Sequence, residues 1–237
     1  MSWVNSTFGG QFISWGPLLD KGIRHGFGDN NFSYHSDIRV EFEARLKERL
    51  LVDRVIQCKQ VHGCGVVHST GGQSHLEGDI ITTPLKEGTP SVVFIKTADC
   101  VPLIIVGPES AAVVHAGWRG LADKAVETGL ATVQSPYLAL IGPAAGGCCY
   151  EVKSDVVAAM SDRGVFTERH GKLFLDTMST TKKIIKSIAP NVEVQILGHC
   201  TICSQSSQVV GDGNGFRYNS YRRSGNDFRN ITFLASK

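Results

Sequence analysis

Residues 101–106 and 111–114 are apolar and largely β-branched, and Gly107, Pro108, Glu109 and Ser110 between them are turn formers. This pattern predicts two antiparallel strands joined by a four-residue loop. With Val106 set opposite Ala111, counting outward places Pro102 opposite His115, and Cys100 falls one diagonal step from His115 on the same face. Diagonal neighbours lie roughly 7 to 8 Å apart at Cα, and zinc sits about 2.3 Å from sulfur and about 2.0 to 2.1 Å from imidazole nitrogen. One ion could therefore be shared. A slip of one residue would send the two side chains to opposite faces.

Around this hairpin the periodicity predicts further elements. Phe42, Leu46 and Leu50 recur at helical spacing among Arg, Lys and Glu over residues 41–51, which is a surface helix with one buried stripe. Residues 53–58, 79–83, 91–96, 137–141 and 192–197 read as strands, with one more short strand near residues 23–27 of a loop-rich start. Helices are expected over residues 121–133, from about Glu151 through Met160, and over residues 177–188. The stretch 215–233 reads as an edge strand whose aromatics pack inward while its arginines face water, with one arginine touching substrate.

Composition narrows the function classes. With 237 residues, 42% hydrophobic and 19% charged, and with no linker-like tract, the chain reads as a single domain spanning residues 1–237. A net charge of +2 argues against nucleic acid or an anionic membrane as partner. No apolar run reaches the eighteen or so residues of a membrane span and the start lacks a signal-peptide pattern, so a cytoplasmic protein is expected. Seven cysteines favour free thiols or metal ligands over a disulfide framework.

Three other stretches carry candidate chemistry. His62 is followed by Gly63 and Gly65, which let backbone approach whatever the imidazole binds; the plain alternative is a hydrogen-bonded, half-buried histidine. The segment Gly117, Trp118, Arg119, Gly120 opens the helix after His115 and reads either as an anion site built from Gly117, Arg119 and Gly120, or as a turn around a core tryptophan. Cys148 and Cys149 follow a glycine-rich turn, where strand alternation would aim at most one of them at a site. Cys200 and Cys203 have the C-x-x-C spacing of redox pairs and half zinc sites, and without a second such pair they read as structural or incidental.

Taken together and in order, KQVHG, TADCVPLII, VHAGWRG, IGPAAGGCCYEV and YRR resemble the YfiH/YlmD family, also called the multicopper polyphenol oxidase (laccase) domain family. The resemblance covers nearly the whole chain. It implies an α/β (α+β) fold arranged as a four-layer α/β/β/α sandwich, and a zinc site whose ligands fall on His62, Cys100 and His115. It further implies phosphorolysis of adenosine, inosine, guanosine or methylthioadenosine, and deamination of adenosine; relatives are also linked to laccase activity and peptidoglycan-precursor editing. The expected partners are a small-molecule nucleoside and phosphate, in a monomer or small homo-oligomer. The chain departs from the family pattern at residues 25–37 and at Ala144, where many members have cysteine.

Two histidines and one cysteine leave a fourth position open, the pattern of a catalytic zinc rather than a closed structural one. Asp99, beside Cys100, is the candidate general acid, with hydrogen bonding at the hairpin entrance as its plainer role. Copper is the alternative ion, since the same ligand set occurs in blue-copper centres. Against it stand the lack of a His-x-His pair and a supply of only three methionines. A standard zinc deaminase would use His75, Glu77, Cys200 and Cys203, which are far apart in sequence. A binding module clipped by zinc is the non-enzymatic alternative.

Overall fold

The apolar run at residues 101–114 folds as a hairpin in the computed structural model, which describes residues 2–5, 12–71, 76–86, 88–206 and 215–236. Val101–Val106 and Ser110–Ala116 pair antiparallel, with Val106 opposite Ala111 and Pro102 opposite His115, which is the register that the turn residues predict. This hairpin is the centre of a six-stranded sheet ordered Glu193–Ile196, Leu138–Ile141, Val101–Val106, Ser110–Ala116, Ile80–Pro84 and Val66–His68. A second six-stranded sheet runs Trp3–Asn5, Phe12–Trp15, Arg24–Gly28, Asn230–Ala235, Ser91–Thr97 and Arg54–Ile56.

Alternation along each strand divides the apolar side chains between three cores. Val113, Ile104 and Ile81 of the first sheet meet Val93, Ile95 and Phe27 of the second, which packs the sheets face to face. The opposite face of the first sheet, with Val114, Ile105 and Ile141, is covered by Ala125–Ala131, Ser154–Ala159 and Thr177–Ile188. The outer face of the second, with Val92, Phe94 and Phe233, is covered by Phe42, Leu46 and Leu50 of Arg39–Leu50. The result is the four-layer α/β/β/α sandwich. Each buried aliphatic or aromatic side chain contributes about 1.5–3 kcal/mol, so both sheets are held mainly by their faces.

Four departures from the periodicity have local causes. The helix expected over residues 121–133 is two helices, Trp118–Ala122 and Ala125–Ala131, because Lys124 between them has φ +65° and breaks the hydrogen-bond ladder. Glu151 and Val152 form a short strand, and the helix begins at Ser154. They pair with Lys172–Leu175, itself paired with Phe166–Arg169, in a small third sheet that polar outward residues hide from a pattern search. Finally, the C-terminal strand is not an edge. Asn230–Ala235 lies inside its sheet between Arg24–Gly28 and Ser91–Thr97 and is buried throughout, whereas the arginine- and tyrosine-rich residues before it form loops and the short helix Tyr221–Ser224.

Candidate metal centre

His115 is the second-last residue of its strand and shares a face with Val113, so it points to the side of the sheet that meets the second sheet, at the end of the strand. Ile80 pairs with Val114, and this brings Asp79, just before its strand, level with His115. Cys100 comes in from the tight connection between Ser91–Thr97 and Val101–Val106. His62 arrives on a loop, at φ +62°. Donor atoms of His62, Cys100 and His115 all lie within 4.8 Å of one another.

Asp79 organises the group and was not singled out from the sequence. It is fully buried, and its Oδ1 accepts a hydrogen bond from His115 Nδ1 at 2.7 Å. The same carboxylate accepts from the backbone N–H groups of Val61, His62 and Gly63 at 3.2, 3.0 and 2.8 Å. One buried anion thus fixes both the His62 loop and the His115 tautomer, leaving Nε2 of His115 to face the other donors. Burial pushes the Asp79 carboxyl up, but the bonds from His115 and Gly63 outweigh it and hold it below the usual carboxylate range. Only its position before an apolar strand, in Gly-Asp-Ile, could have marked Asp79 in the sequence.

Electrostatics between Cys100 and His115 favour the charged form of each. Burial pushes the Cys100 thiol up, yet the adjacent His115 and His62 imidazoles bring it down to about 6. Burial pushes His115 down, and the Cys100 thiolate and Asp79 carboxylate together raise it to about 9. A thiolate and two imidazoles oriented on one point form the donor set of a borderline-soft divalent ion, so these residues fit the metal. Among the described residues one other group of metal-ligating side chains converges, and it contains only cysteines.

The donors sit at the floor of a cleft of about 730 Å³. Its walls include the aromatics Tyr34, Trp118, Tyr150 and Tyr221 and the cations Lys96, Arg119, Arg222 and Arg229. Gly117 and Arg119 of the expected anion segment line the cleft, whereas Gly120 is buried. A Cβ on Gly117 would lie 2.8 Å from Cys100 Sγ and 3.3 Å from His62 Cδ2, so glycine is needed here to let the chain pass beside the donors. The helix after it has five residues, and the positive charge at this end comes chiefly from the Arg119 guanidinium, stacked 4.4 Å from the Trp118 ring.

Asp99 also lines the cleft, in the left-handed region at φ +89°. Its Oδ1 accepts from Thr201 Oγ1 at 2.6 Å and its Oδ2 from the Arg222 backbone N–H at 2.7 Å. The pattern predicts arginines that face water with one touching substrate; Arg222 is exposed and Arg229 half-buried, and both line the cleft because their chain segment folds back to form one wall. Arg223 instead donates to the carbonyls of Thr201, Ile202 and Tyr218. Of the alternative deaminase set, His75 lies outside the described residues, and Glu77 is exposed and pairs with Lys59 at 2.8 Å. Cys148 and Cys149 do not alternate as strand residues. They occupy a turn, together with Cys200 and Cys203.

A two-sheet α/β sandwich with a His–Cys–His centre at the floor of a cationic, aromatic cleft is the class that this fold and site define. Residues 27–235 match the family described as multi-copper polyphenol oxidoreductase laccase, and the chain belongs to that family, which includes the YfiH and YlmD proteins. It is 38% identical over 135 residues to a purine nucleoside phosphorylase of Aquifex aeolicus, a stretch covering 54% of this chain and 62% of the relative. It is 27% identical over 183 residues to adenosine deaminase RL5 of an unknown prokaryotic organism, covering 66% and 68% of the two chains. The crystal structure of Bacillus licheniformis hypothetical protein YfiH superposes with a TM-score of 0.79 at 18% identity over 99% of both chains. That likeness bears on the fold.

Proposed function

We propose that this protein is a zinc-dependent purine nucleoside enzyme that cleaves adenosine, inosine, guanosine or methylthioadenosine by phosphorolysis, to base and pentose 1-phosphate. The observation that carries the reading is the convergence of His62, Cys100 and His115 at the floor of a cleft walled by cations and aromatic rings. The similarity to a phosphorylase supports it.

His62, Cys100 and His115 would hold the zinc ion, which would supply Lewis-acid polarisation of a substrate oxygen. Arg119, Arg222 and Arg229 provide the counter-charge that holds phosphate against the sugar. Tyr34, Tyr150, Tyr221 and Trp118 offer flat apolar surface for the base. Asp99 is the carboxyl group assigned to protonating the leaving purine; its two hydrogen bonds also support a role in positioning Arg222.

Zinc is favoured over copper because, among the described residues, the methionines Met160 and Met178 sit in the core and do not line the cleft where an axial ligand would be needed. A second reading, deamination of adenosine, rests on the same three-donor set and on the similarity to a deaminase. Incubation of zinc-loaded protein with a nucleoside panel, with and without phosphate, separates the two. Free base formed only with phosphate means phosphorolysis, and inosine formed from adenosine without phosphate means deamination. Neither product, or equal turnover by metal-free protein, would sink the proposal.

A further inference from the structure

We propose that Cys148, Cys149, Cys200 and Cys203 form a second metal centre, a tetrathiolate site that holds a structural zinc ion behind one wall of the cleft. All four thiols are free, and their sulfur atoms lie within 4.8 Å of one another. Four sulfurs at about 2.3 Å from a tetrahedral zinc stand roughly 3.8 Å apart along each edge. The Cys148–Cys203 sulfur separation is 3.6 Å, close to one edge of that tetrahedron, and the other pairs lie within 4.8 Å, so modest side-chain adjustment closes the site on an ion.

The backbone around them is built for the purpose. Gly147, Cys148 and Cys149 lie in one turn and Thr201, Ile202 and Cys203 in another, and the turns are joined by the isolated bridge between Ala144 and Cys200. In these turns side chains do not alternate between faces, which is how two adjacent cysteines both reach the centre. The Gly146 N–H donates to Cys200 Sγ at 3.4 Å, the kind of contact that stabilises a metal-bound thiolate. Arg169 donates to the carbonyls of Gly147 and Cys148, and Arg223 to those of Thr201 and Ile202. These guanidiniums oppose the double negative charge that four thiolates and one divalent ion would carry. Cys148 and Cys203 are exposed, so an ion reaches the site from solvent.

The position gives the ion a consequence for the cleft. Tyr150, directly after Cys149, lines the cleft, and Thr201, directly after Cys200, holds Asp99 through its hydroxyl. Tying residues 148–149 to residues 200–203 therefore braces the wall that carries Tyr150, Asp99 and Arg222.

Metal content of zinc-loaded protein, purified under reducing conditions, tests this directly. The His62→Ala/His115→Ala variant is expected to keep one zinc per chain on the four cysteines, and Cys148→Ser/Cys203→Ser to keep one on the histidine centre with a melting temperature several degrees lower. Cobalt added to the histidine variant is expected to give strong thiolate charge-transfer absorption. In case the serine variant does not fold, a mercurial titration of the histidine variant is read alongside, with zinc release expected in step with modification of four thiols. No zinc in the histidine variant, zinc release that does not follow the thiols, or a disulfide among the four would overturn the proposal. The readout is metal content, so its failure is distinct from failure of the nucleoside reading.

Discussion

At the scale of single residues the centre depends on groups that are not themselves metal donors. Asp79 is buried, ties His115 and three consecutive backbone N–H groups, and so sets the direction of two donors at once. Asp79→Asn keeps the size but removes the negative charge and one of the two acceptor oxygens that hold His115 and the His62 loop; zinc affinity is expected to fall about 10- to 100-fold in a competition titration. Unchanged affinity would show that the carboxylate is only a structural clasp. Asp99 poses a different question, since both of its oxygens already accept hydrogen bonds. If it positions Arg222, Asp99→Asn raises KM several-fold and leaves kcat within about threefold. A loss of about 100-fold or more in kcat, with the limb of the pH profile that reports the acid gone, assigns proton transfer to it. His62 in the centre and Asp99 beside it both sit at positive φ, a strained arrangement that the surrounding hydrogen bonds maintain.

At the scale of elements, strand Arg24–Gly28 carries a buried ionisable group. His25 is fully buried, accepts from the Trp15 N–H at Nε2 and contacts the Ile23 carbonyl through Nδ1. It is thus held neutral, and burial pushes its pKa from 6.5 down to about 4. Above pH 6.5 the group is neutral folded or unfolded and does not affect stability. As pH falls from 6.5 to 4 only the unfolded chain takes up the proton, and stability is lost; below 4 the loss levels off near about 3 kcal/mol. Denaturant titrations across this range should show that slope, and His25→Gln should flatten it. A slope unaltered by the substitution would place the acid sensitivity elsewhere. Local pattern was a good guide to elements that carry their own signals. Thr177–Ile188 begins where Asp176 caps it through the Ser179 N–H, and Arg39–Leu50 buries the three residues its spacing marks. It was a poor guide to Phe166–Arg169 and Lys172–Leu175, mostly half-buried or exposed and polar enough to resemble a loop.

At the scale of the whole molecule, the two sheets are held by apolar faces and the His–Cys–His centre sits at the end of the sandwich, outside the three cores. Emptying it should therefore spare the fold. His62→Ala is expected to lose the ion of this centre and nucleoside turnover while the melting temperature stays within about 4 °C of the unmodified protein, as followed by circular dichroism. Unfolding on loss of this ion would mean that zinc serves as a clip, and the catalytic reading would fail with it.

By itself the sequence determined the hairpin and its register. Side chains repeat every two residues along a strand, so the turn at residues 107–110 was enough to put Cys100 and His115 on one face. Periodicity likewise fixed the buried stripes of the long helices. Which distant segments would meet was decided only by burying those faces against one another. Packing delivered Asp79 to His115 across 36 residues, joined Cys148 and Cys149 to Cys200 and Cys203, and seated Asn230–Ala235 in the middle of a sheet instead of at its edge. Local pattern states which side chains share a face, and only long-range closure of the core states what that face will find opposite it.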